Sequence, residues 1–342
     1  MSLKGRKIFP VPLCANERGV ALIVVLWIFI FLFVVAFDFS SSVREEANAV
    51  HRYHDETEGY YLALAGFQKG LYEFLNLNQS AGKPLQANQQ ATDLFDGSWH
   101  EGNLGTGTYR SRLMDEGGKI NLNRIDENGL RRVFTNIEIG EPLRSILVDS
   151  IMDWRDADDL HRVNGAESDY YRSLTPPYTA KNGPFETVEE LLWVRGVTPS
   201  VFFGAAGDDR TLGDGARRIG LREIFTVDSP IDRVNLRTAS AEVIHAATGI
   251  PLDKTRRFVE ERKKLSEKTL ADLIPLLGIG ASDAAMQLFI FTNPSVVAVE
   301  AEGQLAESRV PRRVKGIVRL GGGQQGYQLL RWIDRDMGLP SG

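Results

Sequence analysis

Cysteine is almost missing from this chain: of 342 residues only Cys14 is one, and it lies ahead of the first long apolar run. Whatever follows that run can form no internal disulfide, which excludes a disulfide-built scaffold. An excess of positive charge is lacking too. Forty Lys and Arg stand against 45 Asp and Glu, a formal charge of −5. Nucleic-acid binders usually show basic excess or a basic stripe, so this balance argues against such a partner. Histidine occurs at five positions, none of them in an HExxH, and no nearby cysteine completes a mixed zinc set. His51 and His54, three apart on a helical stretch, read as helix surface. "GAAGDDRTLGDG" (204–215) lacks the lysine and hydroxyl residue of a P-loop. Ser145, Ser150 and Ser168 have no G-x-S-x-G context. With no catalytic motif left, the reading is that the chain is not an enzyme and takes no organic cofactor.

What is abundant comes first in the chain. Lys4, Arg6, Lys7, Glu17 and Arg18 precede an uncharged run from Val20 to Phe37, which Asp38 closes. Eighteen apolar residues reach the lower edge of a bilayer-spanning helix. A cleavable secretory leader would have a shorter core and small residues at its end, whereas "FDFSSSVREE" follows here. Basic charges on the N-terminal side and acidic ones beyond the run put the N-terminus in the cytoplasm and the bulk outside. The helix is expected to continue past the membrane. No proline occurs from Asp38 to Leu75, and apolar residues recur at Phe39, Val43, Ala47 and Val50, then at Tyr60, Leu64, Phe67, Leu71 and Phe74. Spacings of three and four mark one buried stripe. Continuous from Val20, such a helix has about 55 residues and is roughly 80 Å long; a coiled-coil stalk is the plainer alternative.

A short basic leader ending in Arg18-Gly19, followed at once by a long apolar helix, resembles the start of a type IV prepilin or pseudopilin. The resemblance implies that a prepilin peptidase cuts between Gly19 and Val20 and methylates the new N-terminus. Cys14 leaves with the leader, and losing four basic residues and one acidic residue takes the formal charge to −8. Most members of that family carry glutamate at the fifth mature position; here it is Val24. That departure resembles one subclass, the minor pseudopilin K of type II secretion. In the family the glutamate is thought to pair with a neighbour's N-terminal amine, and burying a carboxylate in lipid without that pairing is costly. A subunit lacking it suits a special position rather than the repeating shaft. Val24, Phe39, Val43 and Ala47 are the residues expected to pack in the assembly helix.

Farther on, residues 76 to 107 read as loop, with "DLFDGSW" as a short ordered piece. "GTYRSRLMDEGGKINLN" reads as a strand from Thr108 to Met114, a turn at Asp115 to Gly118, and a second short strand. "DEGGKINLN" resembles the phrase after the first strand in the K subclass. A helix is expected from Leu143 to about Trp154. After it Asp153, Asp156, Asp158 and Asp159 crowd together, with Glu167 and Asp169 close behind. So many carboxylates repel unless they are solvated or neutralised by a cation. Calcium takes six to eight oxygens, so from the residues alone a calcium site and a solvated acidic loop both stand open. The spacing is not that of an EF-hand. "DWRDADD…GAE" resembles the pattern of the K subclass, which implies structural calcium on Asp153, Asp156, Asp158 and Glu167.

Three phrases, "GPFETVEELLWVRGVT", "VNLRTASAEVIHAATGI" and "SEKTLADLIPLLGIG", each set apolar residues at helical spacing ahead of a glycine. They resemble helix-hairpin-helix or SAM-like modules. In nucleic-acid-binding hairpins such glycine turns offer amides to phosphate, which keeps an externally displayed DNA-binding or uptake protein as the alternative function. Acidic neighbours (Glu186, Glu189, Glu190, Glu242) weigh against it. The last stretch changes period: "SVVAVEAEGQ", "RRVKGIVRL" and "GYQLLRWID" suit strands.

The expected fold is therefore α+β: a pilin-like long N-terminal helix with an antiparallel sheet, carrying a large inserted all-helical domain. The divisions are leader 1–19, transmembrane helix 20–39, periplasmic helix 40–77, first part of the α/β domain 78–123, inserted helical domain 124–285, and completing strands 286–342. The resemblance implies a tip subunit of the type II secretion pseudopilus, held in the inner membrane with its bulk periplasmic. Its implied partners are minor pseudopilins I and J with H as a further candidate, major pseudopilin G, the inner-membrane assembly platform and prepilin peptidase.

Overall fold

A computed structural model describes residues 17–79, 95, 97–204, 218–263, 270–280, 283–306, 311–321 and 326–334. The leader residues before Glu17 and the segment "GAAGDDRTLGDG" beyond Gly204 lie outside them. The chain divides into two compact units, residues 1–57 and 58–342, each considered by itself.

Helix α1 runs Glu17–Gln79, longer than the expectation by a turn at its end. Its part in the first unit has no proline and no polar face through Phe37. Trp27 and Phe33 stand 67% and 72% exposed, and an 18-residue window has mean hydropathy 3.0, long and apolar enough to cross a membrane. Val24, Phe39, Val43 and Ala47 are all exposed.

In the second unit, α1 buries Ala63, Phe67, Leu71 and Phe74. Their spacing keeps them on one face, which lies against a five-stranded antiparallel sheet. The strands are β1 (His100–Leu104), β2 (Gly107–Asp115), β7 (Val296–Leu305), β8 (Arg312–Leu320) and β9 (Tyr327–Ile333), in the order β1-β2-β7-β8-β9. Leu113, Val297, Val299, Ala301, Val314 and Val318 meet the helix. Each such leucine or valine contributes roughly 1.5–3 kcal/mol by leaving water. The two layers approach closely. A Cβ at Gly303 of β7 would collide with the backbone of Gly59 and Ala63, and one at Gly66 of α1 would come to 3.1 Å from Tyr109.

Between β2 and β7 the chain makes the inserted helical part. Helix α2 (Glu127–Asn136) starts at Asp126, whose carboxylate accepts from Gly129 N at 2.8 Å; α3 covers Leu143–Arg155. Helix α4 (Ala241–Thr248) starts at Ser240 and ends at Gly249, which takes φ +77°, a left-handed turn that favours glycine. Helix α5 covers Leu252–Lys263. Two parallel pairs of two-residue strands tie the insert together: β3 (Ile120–Asn121) with β4 (Phe225–Thr226), and β5 (Val234–Asn235) with β6 (Phe289–Ile290).

The insert is built twice on one plan. "INLN" opens the first half and "VNLR" the second. Leu122 N donates to Thr226 O, and Leu236 N to Ile290 O. Arg155, at the end of α3, donates to the carbonyls of Leu122 and Ile125, both at 2.5 Å. Arg262, near the end of α5, donates to those of Leu236 and Ala239, at 2.8 and 2.9 Å. Each arginine thus satisfies the two carbonyls of its own strand-to-helix turn, which burial would otherwise leave unpaired. Leu122, Leu130, Phe134, Ile151, Leu236 and Phe258 belong to one shared core.

Two expectations change. The loop expected over 76–107 contains a strand, β1, whose "HEGNL" has no apolar alternation to announce it; residues 80–94 lie outside the described ones. The short strand after the "DEGG" turn does not join the antiparallel sheet with β2. It pairs with β4 of the insert, so 120–123 go with the helical part. Asp115 fixes the junction: its carboxylate accepts from Gly117 N (2.8 Å), Asn235 Nδ2 (2.8 Å) and Thr238 Oγ1 (2.7 Å).

Candidate metal centre

Helix α3 buries Leu147, Val148, Ile151 and Trp154, and this apolar face pulls its last turn inward. Asp153 is carried in with it and is fully buried. The chain then loops out through Asp156–Val163 and returns at Asn164–Glu167. Asp149 holds the return: its carboxylate accepts from Asn164 N at 2.9 Å and Asn164 Nδ2 at 3.0 Å. Gly165 passes so near Asp153 that a Cβ there would collide with its carboxylate. Arg195 donates to Gly165 O at 2.9 Å.

Of the four expected ligands the structure brings three together. One carboxylate oxygen from each of Asp156, Asp158 and Glu167 lies within 4.8 Å of the others. Asp153 sits beside them but turns to Arg162, accepting from its backbone N at 3.2 Å and lying 3.4 Å from its Nε. Asp159 accepts from Asn182 Nδ2 at 3.0 Å, and Asp169 pairs with His161 at 2.7 Å. Arg162, which also reaches Glu127 at 2.8 Å, was not foreseen. The glycine of "GAE" was the available sign that the returning segment passes over a side chain.

The electrostatics follow from this placement. Glu167 is 1% exposed, and neither carboxylate oxygen has a hydrogen-bond partner among the described residues. Burial, then the negative charges of Asp153, Asp156 and Asp159, push its pKa up to about 7. Burial does the same to Asp153, up to about 6, with Asp156 and Asp149 adding repulsion. Asp156 is raised by burial and by Asp158. Unpaired buried carboxylates are costly, and the group either takes a proton or takes a cation. Orphaned oxygens with an all-carboxylate donor set fit a hard cation such as calcium better than a thiolate- or imidazole-seeking metal. Asp156, Asp158 and Glu167 are the residues able to hold it.

At Gly196, which takes φ +87°, a Cβ would come to 3.1–3.3 Å from Leu143, Ile146 and Leu147 of α3, so this glycine turn lies close on the helix, in line with a packing role. Comparison with known proteins bears on the whole. The family model described as "Type II secretion system (T2SS), protein K" matches residues 118–203, the stretch that contains β3, α2, α3 and the acidic loop. That stretch is similar to protein K of type II secretion. The putative protein K of Escherichia coli K12 is 27% identical over 207 residues, and protein K of Klebsiella pneumoniae 25% over 211. Each match covers 55% of this chain and 60% of the relative, so the chain spans less than two thirds of those proteins. Protein K of Pseudomonas aeruginosa is 24% identical over 272 residues, 72% of this chain and 73% of that one. Among solved structures, the GspK-GspI-GspJ complex of enterotoxigenic Escherichia coli matches with TM-score 0.50 at 12% identity. The match covers 79% of this chain and 99% of that one, and speaks for a shared fold. The α+β architecture, a long helix with an antiparallel sheet and further helices, is consistent with that of this structure neighbour.

Proposed function

We propose that this chain is a minor pseudopilin at the tip of the type II secretion pseudopilus, acting by assembly. The supporting observation is the division of α1: an apolar part with its side chains exposed, then a part packed under the sheet. Prepilin peptidase removes residues 1–19, and the helix from Val20 stays in the inner membrane, with the N-terminus cytoplasmic and the bulk periplasmic. There its exposed stripe, including Val24, Phe39, Val43 and Ala47, packs among the helices of other subunits. The bulky insert favours an end position, since a repeating shaft leaves less room for it. Minor pseudopilins I and J are the proposed neighbours, on the strength of the complex that the similar structure was solved in. Calcium on Asp156, Asp158 and Glu167 holds the acidic loop in its observed shape.

The test is co-purification. The full chain, produced with minor pseudopilins I and J and extracted in neutral detergent, is expected to elute with both as one complex. A folded chain that elutes alone in their presence contradicts the proposal.

A further inference from the structure

The insert hangs on the sheet by one narrow junction. The chain leaves β2 at Asp115 and returns to β7 at Val296, and Asp115 stands opposite Val297 in the register. Both crossings therefore lie side by side on neighbouring strands. Asp115 holds this end through Asn235 and Thr238 of the insert. Next to it Glu116 accepts from Thr226 and lies 3.5 Å from Lys119. A second contact is farther off. Arg331 of the edge strand β9 donates from Nη2 to the carbonyl of Glu186 and to Asp228 Oδ1, the latter at 3.1 Å. Three strand spacings separate β9 from β2, a lever of about 14 Å.

Among the described residues, the insert and the sheet share no apolar core. The core of the insert runs from Ile120 to Phe289 and contains no residue of the five strands. The sheet face turned away from α1 has a small cluster of its own, Val296, Ala298 and Ile317 with Met114 and Leu330. Met114 and Ile317 from this cluster, and Val188, Phe203 and Val243 from the insert's, line one cleft of about 710 Å³. The row of Arg112, Glu300 and Lys315, side by side on β2, β7 and β8, lines it too, with Glu300 paired to both cations. An inserted domain that meets its host through polar contacts rather than a shared core is free to move as a body.

We infer that the insert rocks on the sheet about the Asp115 junction, and that Arg331 is the latch that keeps the cleft between them closed. A hinge needs only a few residues that absorb the backbone change. Residues 116–119 on the way out and 291–295 on the way back are in place for it. Opening uncovers Met114, Ile317 and the row of Arg112, Glu300 and Lys315. The inference does not depend on how α1 is processed or assembled.

The test is double electron–electron resonance on the full-length chain in neutral detergent. The chain carries Cys14→Ser, with nitroxides on Glu189→Cys of the insert and Gln328→Cys of β9, both exposed positions. The double variant D228N/R331Q removes the latch without leaving a lone charge. Its label distance should lengthen by about 5 Å, as a rock of about 20° on a lever of about 14 Å gives. Labels on Asn103→Cys and Gln328→Cys, both on the sheet, should keep their distance with and without the latch. If the double variant does not fold, D228N alone, which leaves Arg331 its bond to the Glu186 carbonyl, should broaden the first distribution toward longer distances. A first distance that the variants leave unchanged overturns the inference. So does a change in the sheet-only pair, which would mean that the sheet itself gives way.

Discussion

Glu167 and Glu300 are buried glutamates with opposite fates. Glu167 has no cation among the described side chains bonded to it, and burial with neighbouring negative charge lifts its pKa to about 7. In calcium-free protein at neutral pH its charge is a destabilising feature, of the order of 1–3 kcal/mol. Glu167→Gln should therefore raise the melting temperature in chelator and abolish most of the rise that millimolar calcium gives the unaltered chain. Thermal melts with and without calcium decide it; a calcium-induced rise that survives in the variant counts against the site. Glu300 is also buried, which alone would raise its pKa, but Lys315 and Arg112 hold it at about 2. A carboxyl whose folded pKa lies below its ordinary 4.5 contributes stability that is present above about 4.5 and lost as pH falls toward 2. Urea titrations of the full chain from pH 7 to pH 3 should show that loss. Glu300→Gln should lower stability by about 1–3 kcal/mol at pH 7, where it leaves the partly buried Arg112 and Lys315 without their carboxylate, and flatten the acid limb. An unchanged acid limb contradicts this account of the row. The acidic surroundings of Glu167 were readable in advance, but the fate of Glu300 was not: "VAVEAEGQ" alternates as any half-solvated strand does, and only register reveals the flanking Arg112 and Lys315.

Elements were legible in proportion to their length. Sixty-three residues of α1 and the three C-terminal strands carry periodicity over many residues. The parallel pairs β3·β4 and β5·β6 are two residues each, too short to show any period. Their trace is the echo of "INLN" in "VNLR", with an arginine at the end of α3 and near the end of α5 whose role depends on carbonyls far away in the chain. Helix-to-sheet packing was legible as a stripe, but its closeness was not. Gly303 has an ordinary place in a strand, yet the backbone of Gly59 and Ala63 occupies the space of any side chain there. Gly303→Ala should destabilise the second unit by about 1–3 kcal/mol through overpacking. Denaturant unfolding followed by tryptophan fluorescence tests this; an unchanged midpoint would mean that α1 can lift off the sheet at no cost.

For the whole molecule, the long helix, the sheet and the additional helices are those that the K-subclass resemblance implies, and the comparisons point to similarity with type II secretion protein K. What the chain does with its first helix is the central claim of the functional proposal. Val24, in place of a glutamate, leaves the helix without the group that pairs with a neighbour's amine in the family, in keeping with an end position. That position has meaning only if the chain is processed as a pseudopilin. Mass spectrometry of the N-terminus of the protein extracted from cells that contain prepilin peptidase tests this most directly. The account predicts a chain that begins at Val20 and carries one N-methyl group. An intact Met1, or a cut near residue 40 that discards the apolar helix, would contradict it.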